Sequence, residues 1–242
     1  MTKTFDDIIN HRRSVRLFDP EIPFDSEAVL RSIQRAVLSP NSSNMQLWEF
    51  HHIKDPELLK KMTRYCMGQN AAKTCNEIVV VVARKDYWYK RAKANLWHAI
   101  PDFHSTPKNS YSKRQRRSQK YYQRIMPAIY IDLMGLLGWL KFAAVSIRGV
   151  FRVTYRQVRN SDVKVMIHKS VALAAQTFML SMAAEGYDTC PMEGLDSVRI
   201  KKMLGLPPRA TINMAIACGT RKEEGVYGER FRVPLEEVYK IH

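Results

Sequence analysis

Ile78-Val79-Val80-Val81-Val82-Ala83 is an unbroken apolar run, β-branched except for its closing alanine. Side chains stiff at χ1 favour extended backbone, and a run without polar alternation predicts a strand buried on both faces, at the centre of a sheet. Outward from it, the chain supplies helices. Thr4 with Asp7 forms an approximate capping box ahead of Phe5, Ile8 and Ile9. Asp25 caps a helix carrying Val29, Leu30, Ile33, Val37 and Leu38 that stops at Pro40, and Asp55-Pro56-Glu57 opens another that runs to about Cys66. Asp162 starts a long helix through Ile167, Val171, Phe178 and Met182, closed by Gly186. A helix capped by Asp196 ends at Gly205-Leu206-Pro207, Thr211 to Gly219 reads as a strand, and an aromatic run after Gln46 begins another.

With 242 residues, 45% of them hydrophobic, the chain can bury a real core as one domain. Its formal net charge of +16 admits three partner classes: nucleic acid, anionic membrane and phosphorylated ligand. No apolar segment follows the basic start, so no secretory signal is expected. Cys66, Cys75, Cys190 and Cys218 lie far apart without a Cys-x-x-Cys pair, which argues against structural zinc and for a reducing compartment, with cytoplasm as the default.

Four stretches carry chemistry. His11-Arg12-Arg13-Ser14-Val15-Arg16 alternates Arg12, Ser14 and Arg16 along an extended segment, and guanidinium forks match phosphate oxygens bidentately. A solvated basic turn is the plain alternative. Ser39 through Phe50 is dense in small and amide side chains, which suits either a capped loop or a heterocycle with many polar edges. Gly186 through Asp196 contains Cys190-Pro191-Met192-Glu193-Gly194, and the tail holds a second alternating pair, Arg230 and Arg232. His168 and Lys169, inside the long helix, read as hydrogen-bonded and snorkelling side chains before any catalytic role.

Between Arg84 and Arg124, basic residues are interleaved with Tyr87, Trp88, Tyr89, Trp97, Tyr111, Tyr121 and Tyr122. The combination could stack on nucleic acid, but the run Arg114 to Arg117 sits as in a mobile surface loop, and the nucleic-acid reading is the weaker one. Ile125 to Phe151 is mostly apolar, yet Asp132, Lys141 and Arg148 interrupt it and Gly135 and Gly138 break it, so it does not read as a bilayer span. It reads as an amphipathic cover over a pocket or part of a subunit interface, with attachment to an anionic membrane surface as the minor alternative.

Taken together and in this order, Arg12-Arg13-Ser14-Val15-Arg16, Pro40 to Phe50, Gly186 to Asp196 and Arg230-Phe231-Arg232 before Pro234 resemble the FMN-dependent nitroreductase family. The resemblance implies an α+β fold, a mainly antiparallel sheet flanked by helices, in an intertwined homodimer with FMN at the interface. It implies a single domain over 1-242 with an insertion at about 87-160, longer and more basic than is usual. It places Arg12, Arg13 and Ser14 at the flavin's phosphate and ribityl chain, Arg16 toward the pyrimidine edge of the ring, and Arg230 and Arg232 on the same phosphate. Ser42, Asn44 and Gln46 match positions around the flavin, and Gln69 and Asn70 fall near a position contacting the ring. Pro191, Met192, Glu193 and Gly194 match the loop whose backbone faces flavin N5.

The implied activity is a ping-pong oxidoreductase, in which NADH or NADPH reduces FMN and a nitroaromatic, quinone or similar acceptor then takes the electrons. Arg16, Glu193 and Gly194 lie nearest the chemistry, and no metal is required. The alternatives are a flavoprotein of this fold with another reaction, reductive dehalogenation or flavin breakdown, and a basic protein that binds nucleic acid or a membrane surface. Leu47 stands where the family usually has proline, a change expected to reshape the floor of the site.

Overall fold

The computed structural model describes residues 3–105, 107–131 and 136–242. Asp132 to Gly135, part of the interrupted apolar stretch, lie outside them. In chain order the elements are α1 (Phe5–His11), α2 (Ser26–Ala36), β1 (Trp48–Ile53), α3 (Pro56–Tyr65), α4 (Asn70–Thr74), β2 (Glu77–Arg84), α5 (Trp88–Ala99), α6 (Lys113–Lys120), α7 (Met126–Tyr130), α8 (Leu136–Phe151), α9 (Asn160–Ala184), β3 (Asp188–Met192), α10 (Ser197–Met203), β4 (Ala210–Gly219) and α11 (Leu235–Val238).

β2 is buried along its whole length and lies inside a four-stranded sheet of order β1-β2-β4-β3. Every pairing is antiparallel, Trp48 facing Ala83 across β1 and β2 and Asp188 facing Gly219 across β3 and β4. The fold is therefore α+β with an antiparallel sheet flanked by helices. Alternation along β2 divides the core in two. Val79 and Val81 face a layer with Trp48, Phe178 and Ile216, whereas Ile78, Val80 and Val82 face Val15, Met62, Cys190 and Ile200. The first layer is roofed by α9, against which α2 packs; the second holds α3, α4 and α10.

Local signals explain most helix ends. Thr4 and Asp7 complete a capping box, Asp25, Asp55 and Asp196 accept first-turn N–H groups, and Gly186 and Gly205 take positive φ just beyond their helices. Two boundaries move. α2 ends at Ala36 rather than at Pro40, and α9 begins at Asn160, with Asp162 reaching back to the Arg159 backbone.

The stretch Arg114 to Arg117 is not a loop. Ser112 and Gln115 form a reciprocal capping box, and α6 carries the basic run on a helix. The interleaved aromatics mostly turn inward: Trp88 stacks on Tyr130 at 5.9 Å, Tyr111 is buried, and Arg84 lies 3.7 Å from the Tyr87 ring centre while pairing with Glu49 and Asp86. The excursion leaves and rejoins the body at one place, where Lys85 hydrogen-bonds Asn160.

His168 is a structural tie between α9 and β4. Its ring receives the Asn213 amide at Nδ1 (2.9 Å) and donates from Nε2 to the Thr211 hydroxyl (3.0 Å). That geometry uses the neutral ring. Burial, aided by nearby Lys164, holds its pKa below the ordinary histidine value. Because the unfolded chain takes up this proton near pH 6.5 and the folded chain does so only at lower pH, stability falls as pH drops below about 6.5. Urea titrations across that window should show a shallower pH slope for His168→Gln than for the parent.

Residues 12–18 extend the sheet beyond its edge. Ser14 bridges Thr189 in parallel, Val15 N–H donates to the Thr189 carbonyl (3.2 Å), and Arg16 N–H donates to the Gly225 carbonyl (2.6 Å). Glycine is required at 225 because a Cβ there would lie 2.4 Å from the Leu17 carbonyl oxygen. Gly225→Ala should cost about 1–3 kcal/mol, read as a lowered urea midpoint, and should displace the backbone that aims Arg16.

Candidate functional site

Val15 is fully buried, so Arg12, Ser14 and Arg16 share the opposite side of an extended backbone. The tail brings Arg230 and Arg232 to them, and a pocket of about 280 Å³ is lined by Arg12, Arg13, Ser14, Arg16, Tyr227, Arg230 and Arg232. Arg230 is also a clamp: its guanidinium donates to the carbonyls of Ile9 (3.1 Å), Asn10 (3.0 Å) and Arg12 (2.9 Å), satisfying the C-terminal end of α1. Arg13 donates to the Gly228 carbonyl (2.9 Å).

None of these five arginines forms an ion pair with any described carboxylate, although Glu229 borders the pocket. Burial, followed by the fields of Arg230, Arg232 and Arg13, holds the Arg12 guanidinium below the usual arginine range. The pocket therefore concentrates positive charge that the protein itself leaves uncompensated. A multiply charged anion with several oxygens is its chemical complement.

The 12–18 segment is fixed by one buried acid that sequence reading missed. Asp188, 4% exposed, accepts from the backbone N–H of Arg221 (2.9 Å) and from its Nε (2.9 Å), and lies 3.3 Å from His11 Nε2. Arg221 also donates to the His11 carbonyl (2.8 Å). Burial is the main cause holding the His11 pKa below its ordinary value, with Arg221 adding to it and Asp188 opposing.

The third stretch meets the cluster at the end of β3. Met192 is buried, while Glu193 and Gly194 emerge into solvent. Gln69 donates to the Gly194 carbonyl (2.8 Å), and Asn70 donates to the Tyr227 hydroxyl (3.2 Å), so Gln69 and Asn70 link this strand end to the arginine pocket. Arg16 lies beside the Cys190 thiol, opposing the upward shift that burial imposes. All four cysteines are free, and burial pushes Cys66 up to about 11 and Cys75 to about 12, which marks them as packing groups.

The second stretch is not brought to this pocket. Ser42 N–H donates to the Ser170 hydroxyl (3.2 Å) on α9, Asn44 and Asn95 exchange hydrogen bonds (both 2.8 Å), and Gln46 N–H donates to the Asn41 side chain (2.8 Å). Met45 and Leu47 are buried with Val79 and Val81, across the sheet from Val15 and Met192. Leu47 is 3% exposed and packs in this core layer, where it also lines a small cavity with Ser42 and Gln46. Ser43, Asn44 and Gln46 all have positive φ (58°, 52° and 48°), a strained backbone for residues other than glycine. Two tyrosines brace it: Tyr121 hydroxyl bonds Ser43 Oγ (2.6 Å), and Tyr122 hydroxyl donates to the Ser43 carbonyl (3.2 Å).

Sequence reading thus missed Asp188, Arg221, Tyr227 and the bracing trio Asn95, Tyr121 and Tyr122. Asp188 stood inside a quoted stretch, but its partner lies 33 residues away.

A model described as the Nitroreductase family matches residues 9–220. Protein DrgA of Synechocystis sp. is 27% identical over 228 residues, covering 94% of this chain and 89% of its own. A structure from Staphylococcus epidermidis named as a candidate NAD(P)H:FMN oxidoreductase superposes with a TM-score of 0.73 at 21% identity, covering 100% of this chain and 99% of its own. A candidate nitroreductase from Exiguobacterium sibiricum, solved in complex with FMN, superposes with a TM-score of 0.69 at 21% identity, again covering 100% and 99%. With the family match running through the first three stretches and over most of the chain, this protein belongs to the nitroreductase family of oxidoreductases.

Proposed function

We propose that the protein is an NAD(P)H-dependent FMN oxidoreductase whose flavin phosphate is held by the arginine pocket. The observation that carries this reading is the gathering of Arg12, Arg13, Arg16, Arg230 and Arg232 around Ser14, with no carboxylate among the described residues paired to any of them. A phosphate dianion suits that donor set, and Gln69, Asn70 and the strand end Pro191-Met192-Glu193-Gly194 lie on the side where a flavin ring would extend. The FMN complex of the Exiguobacterium sibiricum protein, of the same fold, supports the choice of cofactor.

Held there, FMN would supply two-electron chemistry between NADH or NADPH and an acceptor such as a nitroaromatic or quinone. The protein's part is to bind and orient. Arg12, Ser14 and Arg232 grip phosphate and ribityl oxygens. Arg16, held by its backbone bond to Gly225 and set beside Cys190, offers a fixed positive charge to the pyrimidine edge, where negative charge develops on reduction. Glu193 and Gly194 present strand-end backbone toward N5 without a titrating group.

Ser42, Asn44 and Gln46 belong to the same site in this reading, contributed by the second subunit of a homodimer. Their separation from the arginine pocket by the sheet of their own chain supports that division of labour. The donor and the acceptor use one pocket in turn, a ping-pong order.

Arg12→Gln and Arg232→Gln should each weaken FMN binding about 10–100-fold, the loss of one or two charge-assisted hydrogen bonds, measured by fluorescence titration of the apoprotein. Arg16→Gln should retain flavin but slow its anaerobic reduction in stopped flow. Parent protein that is colourless and whose Tm does not rise with FMN would sink the proposal. Initial rates over both substrates should give parallel double-reciprocal lines, and intersecting lines would exclude the ping-pong order.

A further inference from the structure

Helix α8 presents an apolar face that nothing in the described chain covers. Leu140, Ala143, Ala144, Ile147, Val150 and Phe151 recur at helical spacing, and all six are exposed, with Trp139 beside them. The large ones among them are 60% to 82% exposed, and Val153 beyond the helix is fully so. The helix is fastened only along its other side and at its ends. At Gly138 a Cβ would come within 3.2 Å of the Asn160 nitrogen, the Arg159 guanidinium lies 5.0 Å from the Phe142 ring centre, and Lys141 donates to the Ile131 carbonyl (2.7 Å). At the far end Arg156 turns back to the Gly149 carbonyl (2.7 Å), folding 152–156 against the last turn.

Charge accompanies this face. From Leu133 to Ser161 the sequence holds Lys141, Arg148, Arg152, Arg156 and Arg159 and no acidic residue. Arg148, Arg152 and Arg156 are exposed at the end where Phe151 and Val153 protrude. No helix among the described residues is long and apolar enough to cross a membrane, and α8 has 16 residues where a span needs about 20.

We propose that α8 docks in the plane of an anionic lipid bilayer, with Trp139, Leu140, Ile147, Val150 and Phe151 among the acyl chains near the surface and Arg148 and Arg152 on lipid phosphates. A bilayer meets both needs of this surface, an apolar phase for the stripe and negative charge for the arginines. A second copy docked through the same segment would cover the stripe, but it would bring Arg148 and Arg152 near their own copies with no acid from that segment to meet them. This inference stands apart from the flavin reading.

The test is co-sedimentation of the full chain with phosphatidylcholine vesicles, with and without phosphatidylglycerol. Binding is expected only when the anionic lipid is present. The double variant Arg148→Gln/Arg152→Gln should bind about 25-fold more weakly, from about 1 kcal/mol per arginine. Ile147→Asp/Phe151→Asp should lose binding while keeping the parent Tm. No binding to anionic vesicles overturns the proposal. So does loss of binding in Arg12→Gln, which would place the lipid in the arginine pocket. Ile147→Asp/Phe151→Asp that dissociates a dimer in sedimentation velocity yet still binds vesicles would assign the face to a second copy.

Discussion

One buried carboxylate holds the site together. Asp188 lies at the start of an edge strand with its side chain almost completely shielded, and a charge so placed must be met by donors. Arg221 meets it with backbone and side chain, then reaches on to the His11 carbonyl. The result fastens the end of α1 to the sheet edge and sets residues 12–16 in their extended course. The five pocket arginines repel one another, so their convergence has to be enforced by contacts outside the pocket. Asp188, the Gly225 carbonyl and the three carbonyls that hold Arg230 provide that enforcement.

The sheet does more than support the pocket. Because β2 alternates its valines between two layers, residues on one layer have no direct path to residues on the other. The arginine segment and the end of β3 belong to one layer, and the polar loop around Ser43 belongs to the opposite one. In the homodimer proposed above, each chain would contribute one set of residues to each of two sites, and an isologous pair would complete both.

Much of this was legible because local chemistry announces itself locally. The β2 run, the caps at Thr4, Asp25, Asp55 and Asp196, and the glycine stops at 186 and 205 each depend on residues within a few positions of one another. The arginine motifs were legible for a different reason, since their spacing matched a known family. What escaped was long-range or concealed by composition. β3 carries Pro191 and only five residues, so it lacked a strand pattern, and its edge position is what tolerates the proline. The basic stretch after Ser112 looked like a loop because charge outweighed a capping box that was plainly present. The tyrosines between Arg84 and Arg124 looked like stacking platforms, yet Tyr121 and Tyr122 spend their hydroxyls on one residue, Ser43, nearly eighty positions earlier.

That last pairing makes one loop dependent on distant chain. Three left-handed departures within four residues, at Ser43, Asn44 and Gln46, are disfavoured for an isolated peptide by roughly 1 kcal/mol or more each, so the loop leans on contacts from outside it. Its partners Asn95, Tyr121 and Tyr122 lie dozens of residues later and offer their amide and hydroxyls from helical turns. The polar loop therefore takes its shape from a stretch of chain that contributes no strand to the sheet. Mutations that loosen the helical turns holding these tyrosines would leave a folded core with a misshapen polar loop, a local defect that secondary structure alone would not reveal.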